Sequence, residues 1–491
     1  MKRKLFSILS VLVTMPMLLF TSGVNVMAQS SEPPSPLPSQ IAVAWSRPEI
    51  VKKTEKNEKE FVIHTLVKDR EMKLYVSFPE EGGIRLRTDQ SGIFNPKGNK
   101  KILYKGNSMT AGDTSVEFIQ SGSGFTLNVS NGKGVRVMQI TDKQISFGYD
   151  KDDALKKVRF ECAISKNEVL YGTGERFNSL NQVGNSLVLW NMDAAYHDQA
   201  DENMDRAYKN IPLLHSTRGY TMFFNSTYSC AADIGKTNAD KYSLDFNGPK
   251  FDMYVWTGSA EKNIQDYTAL TGRPFLPPKW AFSYWAGNGG GVWTADGAGT
   301  YLAKLSEVMQ KYKELGTIPA ALYAEGDASW DPKSYTQLNK YGTRLLMWNY
   351  PSPQFYDPNA SNMVLAKYLN GSNHNEHFLD YTHPNAVQDN TVQFKKYWDW
   401  GLRGGMIDFG ERIREDMLSS NGMTGDEMHN YYSLVYAKTY FDAWSAAMGN
   451  DFITFERSAC AGSQAYAANF SGDQESSWRG LKEQLLGILS L

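Results

Sequence analysis

The stretch Gly404–Ile413, GGMIDFGERI, decides the fold class of this sequence. Its apolar run stops at an acid, Asp408, and a second acid, Glu411, follows three residues later. In (β/α)8 barrels the reactive groups lie at the carboxyl ends of the parallel strands, so an apolar strand that ends on an acid is typical of a catalytic position. The stretch therefore indicates a barrel strand with a carboxylate at the mouth of the barrel.

The sequence around this stretch alternates short apolar strands with longer helical segments, which predicts a parallel sheet, either a (β/α)8 barrel or an open doubly wound sheet. The clearest helix covers Tyr301–Leu315, whose apolar residues share one face. Further helical segments cover residues 385–400 and 427–448. The predicted strands are IPAALYAEGD (318–327), RLLMWNY (344–350), HFLDY (377–381), GGMIDFG (404–410) and ITFERS (453–458).

Polar side chains stand at or just past the ends of several predicted strands: Asp327, Asn349, Asp380, Asp408 and Asp473. A single acid at such a place could cap the next helix, whereas several in series favour an acid-lined mouth. Two carboxylates at one mouth are the groups that glycoside hydrolysis requires, because one attacks or supports the oxocarbenium-like centre while the other protonates the leaving oxygen. Asp408 and Asp473 are separated by enough sequence to come from different strands.

The sequence before the barrel predicts an antiparallel β-sandwich over residues 41–275. Short runs with period-two alternation dominate there, separated by Gly, Asn, Asp and Lys clusters. The pattern changes at the Pro-rich stretch TGRPFLPPKWAFSYW (Thr271–Trp285), so we place the barrel domain at 276–491. The alternating runs are EFVIHTLV, KLYVSF, IRLRTD, VEFIQS, FTLNVS, GVRVMQI and VRFECAI.

Residues 1–28 read as a signal peptide, with Lys2, Arg3 and Lys4 before an apolar run, and residues 29–40 read as a Pro/Ser-rich linker. An uncleaved membrane anchor is the alternative. Cleavage predicts a secreted, extracellular protein without further membrane contact. The net charge of −2 gives no footprint for nucleic-acid binding. Three scattered cysteines and seven histidines form no metal-ligand pattern, so no cofactor or metal is predicted, and nothing indicates the oligomeric state.

Several motifs, in order, resemble glycoside hydrolase family 31, the α-glucosidase, α-xylosidase and sulfoquinovosidase family. They are YGTGERF (Tyr171–Phe177), IPLLHSTRGYTMFFNSTY (Ile211–Tyr228), TGRPFLPPKWAFSYW (Thr271–Trp285), MIDFGERI (Met406–Ile413) and ERSACAGSQAYAANFSGDQ (Glu456–Gln474). The first two resemble the family's N-terminal β-domain and the third its entry into the barrel.

The resemblance implies roles for six residues. Asp408 would be the nucleophile and Asp473 the acid/base. Trp348, Asp327 and Arg457 would bind the sugar, with Glu325 as the alternative to Asp327. Glu411 would lie hydrogen-bonded near Arg457 or the sugar, and its alternative is a solvated acid at a helix start. Arg457 could instead be a structural partner of Glu456 or Asp408.

The function that the resemblance implies is a retaining, exo-acting α-glycoside hydrolase of the α-glucosidase class, which acts on oligosaccharide or polysaccharide without a cofactor. DFGER resembles the α-xylosidase and sulfoquinovosidase branches, although the cationic and indole grip that a sulfonate needs is absent from AEGDASWDPK. A secreted α-glucosyltransferase of the same family is a further alternative, because transfer and hydrolysis share the covalent glycosyl-enzyme.

The predicted barrel looks incomplete, because residues 276–491 fall short of the ~250 residues typical of this fold. Members of the resembled family continue into a further strand, a substrate-binding His and a β-sandwich. A hypothesis of a different class is therefore an inactive, truncated carbohydrate-binding protein.

Overall fold

The computed structural model describes residues 37–194, 206–288, 298–324, 332–349, 351, 367–368, 370–371 and 378–491. The predicted signal peptide, most of the predicted linker, and both Asp327 and its alternative Glu325 lie outside these residues. No helix in the described part is long and apolar enough to cross a membrane.

The period-two alternation of the first half of the chain produces antiparallel strands. Their bounds are β1 (Ala44–Ser46), β2 (Ile50–Lys56), β3 (Glu60–Val67), β4 (Arg70–Ser77), β5 (Ile84–Arg87), β6 (Leu103–Lys105), β7 (Ser108–Ala111), β8 (Thr114–Ser121), β9 (Gly124–Asn131), β10 (Arg136–Thr141), β11 (Ile145–Tyr149), β12 (Leu155–Ala163), β13 (Leu170–Gly174), β14 (Asn185–Leu189), β15 (Asn210–Ser216), β16 (Tyr220–Phe224), β17 (Cys230–Ile234), β18 (Lys241–Phe246) and β19 (Asp252–Thr257).

Within the described residues, β1–β19 form three antiparallel sheets of six, five and eight strands. The three sheets share one apolar core. Val76 of β4, Leu127 of β9 and Phe160 of β12 come from different sheets, and all three are fully buried in it. Each run that the sequence predicted as a strand overlaps one of these strands and extends beyond its ends by at most two residues. The antiparallel, β-rich N-terminal fold is confirmed, and we call this part the β-domain.

A helix, α1 (Ala260–Thr271), leads from the β-domain towards the parallel sheet, and the Ser259 side chain caps it by accepting a hydrogen bond from the Lys262 amide. The elements that follow are β20 (Trp285–Asn288), α2 (Ala298–Glu314), β21 (Ala321–Ala324), α3 (Pro332–Asn339), β22 (Arg344–Asn349), β23 (Lys367–Tyr368), α4 (Pro384–Trp400), β24 (Leu402–Ile407), β25 (Met417–Leu418), α5 (Gly425–Met448), β26 (Ile453–Glu456), β27 (Ala468–Asn469) and α6 (Trp478–Ser490). Short 3-10 helices lie at Asp142–Gln144, Lys279–Phe282 and Ser463–Ala465.

Six strands of the described residues form one parallel sheet in the order β20-β21-β22-β24-β26-β27, with helices between them. Strands β23 and β25 pair separately and antiparallel. The strands follow one another in chain order across the sheet without a reversal, which is the order of the predicted barrel rather than of an open doubly wound sheet. Carboxyl ends of neighbouring parallel strands meet at one edge, and this edge carries the candidate site.

One predicted strand is wrong. Phe378–Tyr381, the described part of HFLDY, adds no strand to the parallel sheet, because β22 pairs directly with β24. Phe378 and Leu379 are buried, and the Leu379 amide donates to the Pro351 carbonyl at 2.9 Å. The apolar run thus packs as a buried connection, and its hydrophobicity alone could not distinguish this from a strand.

The pair Gly404-Gly405 lets β24 fit between its two neighbours. A Cβ on Gly404 would lie 1.8 Å from the Ile453 carbonyl oxygen, and a Cβ on Gly405 would lie 2.0 Å from the Met347 carbonyl oxygen. Gly404 also has φ +117°, a conformation that side-chain-bearing residues rarely adopt. The two glycines therefore set the path of the strand that presents Asp408.

Candidate active site

Asp408 directly follows β24, at the carboxyl edge of the parallel sheet. Its amide donates to the Asn349 carbonyl at the end of β22 (3.1 Å), and the residue is only 5% exposed. Phe409 then adopts φ +58°, a left-handed conformation that is strained for a bulky side chain. This turn brings the Phe409 ring to 4.1 Å from the Arg457 guanidinium carbon. The sequence DFG therefore ends the strand, holds the carboxylate at its end and covers the neighbouring cation.

Arg457, which follows β26, lies at the centre of the site. Its Nε is 2.9 Å from Asp408 Oδ1, and its Nη1 is 3.3 Å from Asp473 Oδ2. Its Nη2 makes an ion pair with Glu411, which is itself buried. The guanidinium is only 2% exposed. One cation therefore joins both predicted catalytic carboxylates and Glu411, and the alternative of Glu411 as a solvated acid is wrong.

Trp348 completes the predicted set. It lies in β22, next to β24 in the sheet, and its Nε1–H donates to Asp408 Oδ2 at 2.8 Å. Five of the six predicted site residues are thus brought together, and the sixth, Asp327, lies outside the described residues. The catalytic and binding roles of all six remain predictions.

The β-domain supplies two further residues to this site that the sequence analysis missed. Asp193 Oδ2 lies 3.7 Å from Arg457 Nη2, and Asp193 Oδ1 accepts a hydrogen bond from the Tyr208 hydroxyl at 3.0 Å. The Tyr208 ring is 5.2 Å from the Arg457 guanidinium carbon. No local pattern marks either residue, because their partner is about 250 residues away in sequence.

Burial and crowded carboxylates control the protonation of the site. Burial raises the pKa of Asp408 to about 7, and the Glu411 and Asp473 charges add to the rise against the Arg457 charge and the Trp348 hydrogen bond. Burial also raises the pKa of Asp473, with Asp193 adding to the rise and Arg457 opposing it. Burial is therefore the main cause of the raised pKa of both acids, and the Arg457 charge opposes it in both.

Two other polar residues at predicted strand ends have internal partners instead. The Asn349 amide group donates to the carbonyls of Met347 and Met406 at 3.1 and 2.9 Å. Asp380 accepts hydrogen bonds from the amide and hydroxyl groups of both Thr382 and Ser420, at 2.6 to 3.1 Å. The Asn349 side chain thus links β22 to β24, and Asp380 fixes a loop, so fewer strand-end residues join the site than the sequence suggested.

No group of three or more His, Cys, Asp or Glu side chains in the described part of the chain could hold a metal ion. Asp426 and Glu427, at the start of α5, pair with other side chains of the protein. Asp426 accepts a hydrogen bond from Thr424, and Glu427 makes an ion pair with Lys250.

Two carboxylates gathered at the carboxyl edge of a parallel barrel sheet are the arrangement that barrel glycosidases use. The family model described as "Glycosyl hydrolases family 31 TIM-barrel domain" matches residues 274–491, and "Glycosyl hydrolase 31 N-terminal galactose mutarotase-like domain" matches residues 73–233. The two models describe successive domains of one family and together span most of the chain. The chain belongs to glycosyl hydrolase family 31.

Curated relatives match about two thirds of the chain. An α-xylosidase from Emericella nidulans is 27% identical over 67% of this chain and 45% of its own length. An isomaltosyltransferase from Sporosarcina globispora is 25% identical over 69% of this chain and 35% of its own length. The chain thus spans less than half the length of these two relatives. A solved structure, the cycloalternan-forming enzyme from Listeria monocytogenes, has a TM-score of 0.79 at 21% identity, covering 91% of this chain and 47% of that chain.

Proposed function

We propose that this chain is a retaining, exo-acting α-glycoside hydrolase of the α-glucosidase class, which removes non-reducing terminal α-linked sugars from oligosaccharides or polysaccharides. The observation that carries the proposal is the pairing of Asp408 and Asp473 on the single guanidinium of Arg457 at the strand ends. The α-xylosidase relative supports the α-configured substrate, as do relatives named α-glucosidase.

The geometry supports a division of labour between the two carboxyl groups. Asp408 is held between Trp348 and Arg457, so its oxygens have fixed directions for attack on the anomeric carbon. Asp473 is the more exposed of the two and can meet the leaving oxygen. Its raised pKa favours the protonated form that a general acid needs.

In the first step Asp473 gives its proton to the glycosidic oxygen, the bond from that oxygen to the anomeric carbon breaks, and an Asp408 oxygen bonds to the same carbon. In the second step Asp473, now ionised, takes a proton from water. The water oxygen then bonds to the anomeric carbon and releases Asp408 as carboxylate. The reactive form therefore has Asp408 ionised and Asp473 protonated, so activity should rise as the pH passes the Asp408 pKa of about 7. Trp348, Arg457, Glu411 and Asp327 are the proposed sugar-binding residues.

Trapping the covalent intermediate tests this proposal. A 5-fluoro-α-glucosyl fluoride and its α-xylosyl counterpart should each be tried on the purified protein, followed by proteolysis and mass spectrometry. We expect the glycosyl mass on the peptide that contains Asp408, and the donor that labels faster identifies the preferred sugar. A protein that binds oligosaccharides saturably but is labelled by neither donor would support the carbohydrate-binding hypothesis instead.

Transfer to a sugar acceptor is a second candidate activity, favoured by the isomaltosyltransferase relative. Both outcomes follow from one glycosyl-enzyme, and only the attacking hydroxyl differs. We also propose that the N-terminal 28 residues direct export, so that the substrate is external. N-terminal sequencing of the protein from culture medium should then begin at Gln29.

Trp348→Phe should shift the acidic limb of the pH profile. The indole hydrogen bond lowers the pKa of Asp408, so its loss raises that pKa above about 7. We expect the limb of kcat/KM on an aryl α-glycoside to move by about one pH unit towards alkaline pH.

The matched control for this variant is Trp280→Phe. The Trp280 indole also donates to a carboxylate, Asp451 Oδ1, at the same distance of 2.8 Å, but that carboxylate is not one of the site residues. The control should leave the pH profile in place, and an equal shift in both variants would contradict the assignment.

A further inference from the structure

Lys209 of the β-domain is a fully buried cation that the proposed mechanism does not use. Its Nζ lies 2.9 Å from Glu175 Oε1, and neither side chain has any exposed surface. The same Nζ donates to the Phe470 carbonyl oxygen at 2.7 Å. A buried ammonium is stable only when it is paired, so Glu175 is the partner that keeps this charge in place.

A second carboxyl group, Glu456, lies on the barrel side of the same cluster. Burial raises the pKa of Glu456 well above its ordinary value, although the Lys209 charge and a hydrogen bond with Ser463 lower it. Burial also raises the pKa of Glu175, while the Lys209 and Arg176 charges lower it. The Lys209 ammonium is thus shared between the Glu175 carboxyl group and the Phe470 carbonyl oxygen.

Phe470 begins the segment that carries the proposed acid/base. The preceding strand, β27, has only two residues, so the segment has little backbone pairing of its own. Gly472 has φ +83°, and a Cβ on it would lie 2.1 Å from a ring carbon of Tyr208. Asp473 then meets Arg457 at 3.3 Å. Two adjacent residues of the β-domain thus contact this segment, Lys209 at Phe470 and Tyr208 at Gly472, and Arg457 contacts it at Asp473.

We propose that Lys209 is a positioning residue for Asp473. Its ammonium, anchored by Glu175, holds the Phe470 carbonyl and thereby sets where the Asp473 carboxyl group meets the leaving oxygen. Lys209 and Tyr208 point in different directions from adjacent positions, one to the backbone of the segment and the other to Arg457 and Asp193. This inference rests on the proposed role of Asp473 as acid/base, because Lys209 is proposed to hold the segment that carries Asp473.

Lys209→Met tests the proposal, since methionine is unbranched and only one atom shorter than lysine but lacks the charge and the donor. Two substrates separate positioning from general damage. An α-glucosyl fluoride needs little help from an acid, whereas a disaccharide leaving group must be protonated. We expect kcat/KM to fall by about ten- to a hundred-fold on the disaccharide and by less than about three-fold on the fluoride. Asp473→Ala should show the same selectivity more strongly.

Lys157→Met is the matched control, because Lys157 is a buried lysine of the same domain whose neighbours are Asp245 and Arg159. Lys157→Met should lower kcat/KM by the same factor on both substrates or leave it unchanged on both. Equal losses on both substrates in Lys209→Met would overturn the positioning role.

Hydrogen exchange gives a readout that does not depend on the activity. If the wild-type protein hydrolyses neither substrate, the proposed function fails, and the positioning of the segment is still measurable. Amides of residues 468–474 should exchange faster in Lys209→Met than in Lys157→Met. Unchanged exchange there would overturn the inference, whatever the reaction proves to be.

Discussion

Asp408→Asn is expected to reduce turnover by at least about a thousand-fold, because an amide cannot form the glycosyl-enzyme bond. The same variant should also change how stability depends on pH. The pKa of Asp408 is about 7 in the folded protein against an ordinary value of 3.8, so the folded state favours the protonated form. That contribution is complete below about pH 4 and is lost as the pH rises through 7.

The wild-type protein should therefore lose on the order of 3 kcal/mol of unfolding free energy between pH 5 and pH 8 from this group alone. Asp408→Asn should remove most of that loss, which urea denaturation at the two pH values would measure. Asp252→Asn provides a comparison, because Asp252 is a buried acid paired with Arg85 in the β-domain. It should lower stability without removing the pH dependence. A pH dependence that persists in Asp408→Asn would contradict the raised pKa.

Arg457→Met is expected to have the largest effect on stability. The guanidinium pairs with Asp408, Glu411 and Asp473, and two of these acids are almost fully buried. Removing one partner of a buried ion pair leaves uncompensated charge, at a cost of about 3–5 kcal/mol near pH 7. The loss of stability should be smaller at pH 5. The Arg457 charge lowers the pKa of Asp408, so without Arg457 the Asp408 carboxylate is protonated more easily and leaves less buried charge.

Two further variants isolate the cause of this loss. Arg457→Lys keeps the charge but cannot reach three acids with one ammonium, so it should recover only part of the stability. Combining Arg457→Met with Asp408→Asn should also recover part of the lost stability, since the second substitution removes one of the buried carboxylates that Arg457→Met leaves unpaired. A loss of equal size at pH 5 and pH 8 in Arg457→Met would indicate lost packing rather than lost charge.

The sequence predicted those features that local pattern controls. Period-two alternation placed the strands of the β-domain, and apolar runs that end on acids placed Asp408 and the strand end before Arg457. The wrong strand at Phe378–Tyr381 shows the limit of that reasoning, because burial gives the same apolar signal in a strand and in a packed connection.

The contacts between the two halves of the chain could not be predicted. Asp193, Tyr208 and Lys209 lie in the β-domain, and nothing beside them in the sequence indicates that they meet Arg457 and Phe470. Hydrophobic periodicity reports which face of an element is buried, but not which distant residue it meets. Only the packing of the β-domain on the parallel sheet brings these side chains together.

The buried Lys209 has a consequence for the order in which the protein is made. The β-domain leaves the ribosome before Phe470 is synthesised, so at that stage no barrel segment covers the lysine. The ammonium and its glutamate then form a surface onto which the later-made Phe470 segment packs. A newly made chain would therefore gain activity only when this closure occurs, and the onset of turnover during synthesis would report the moment at which the two halves join.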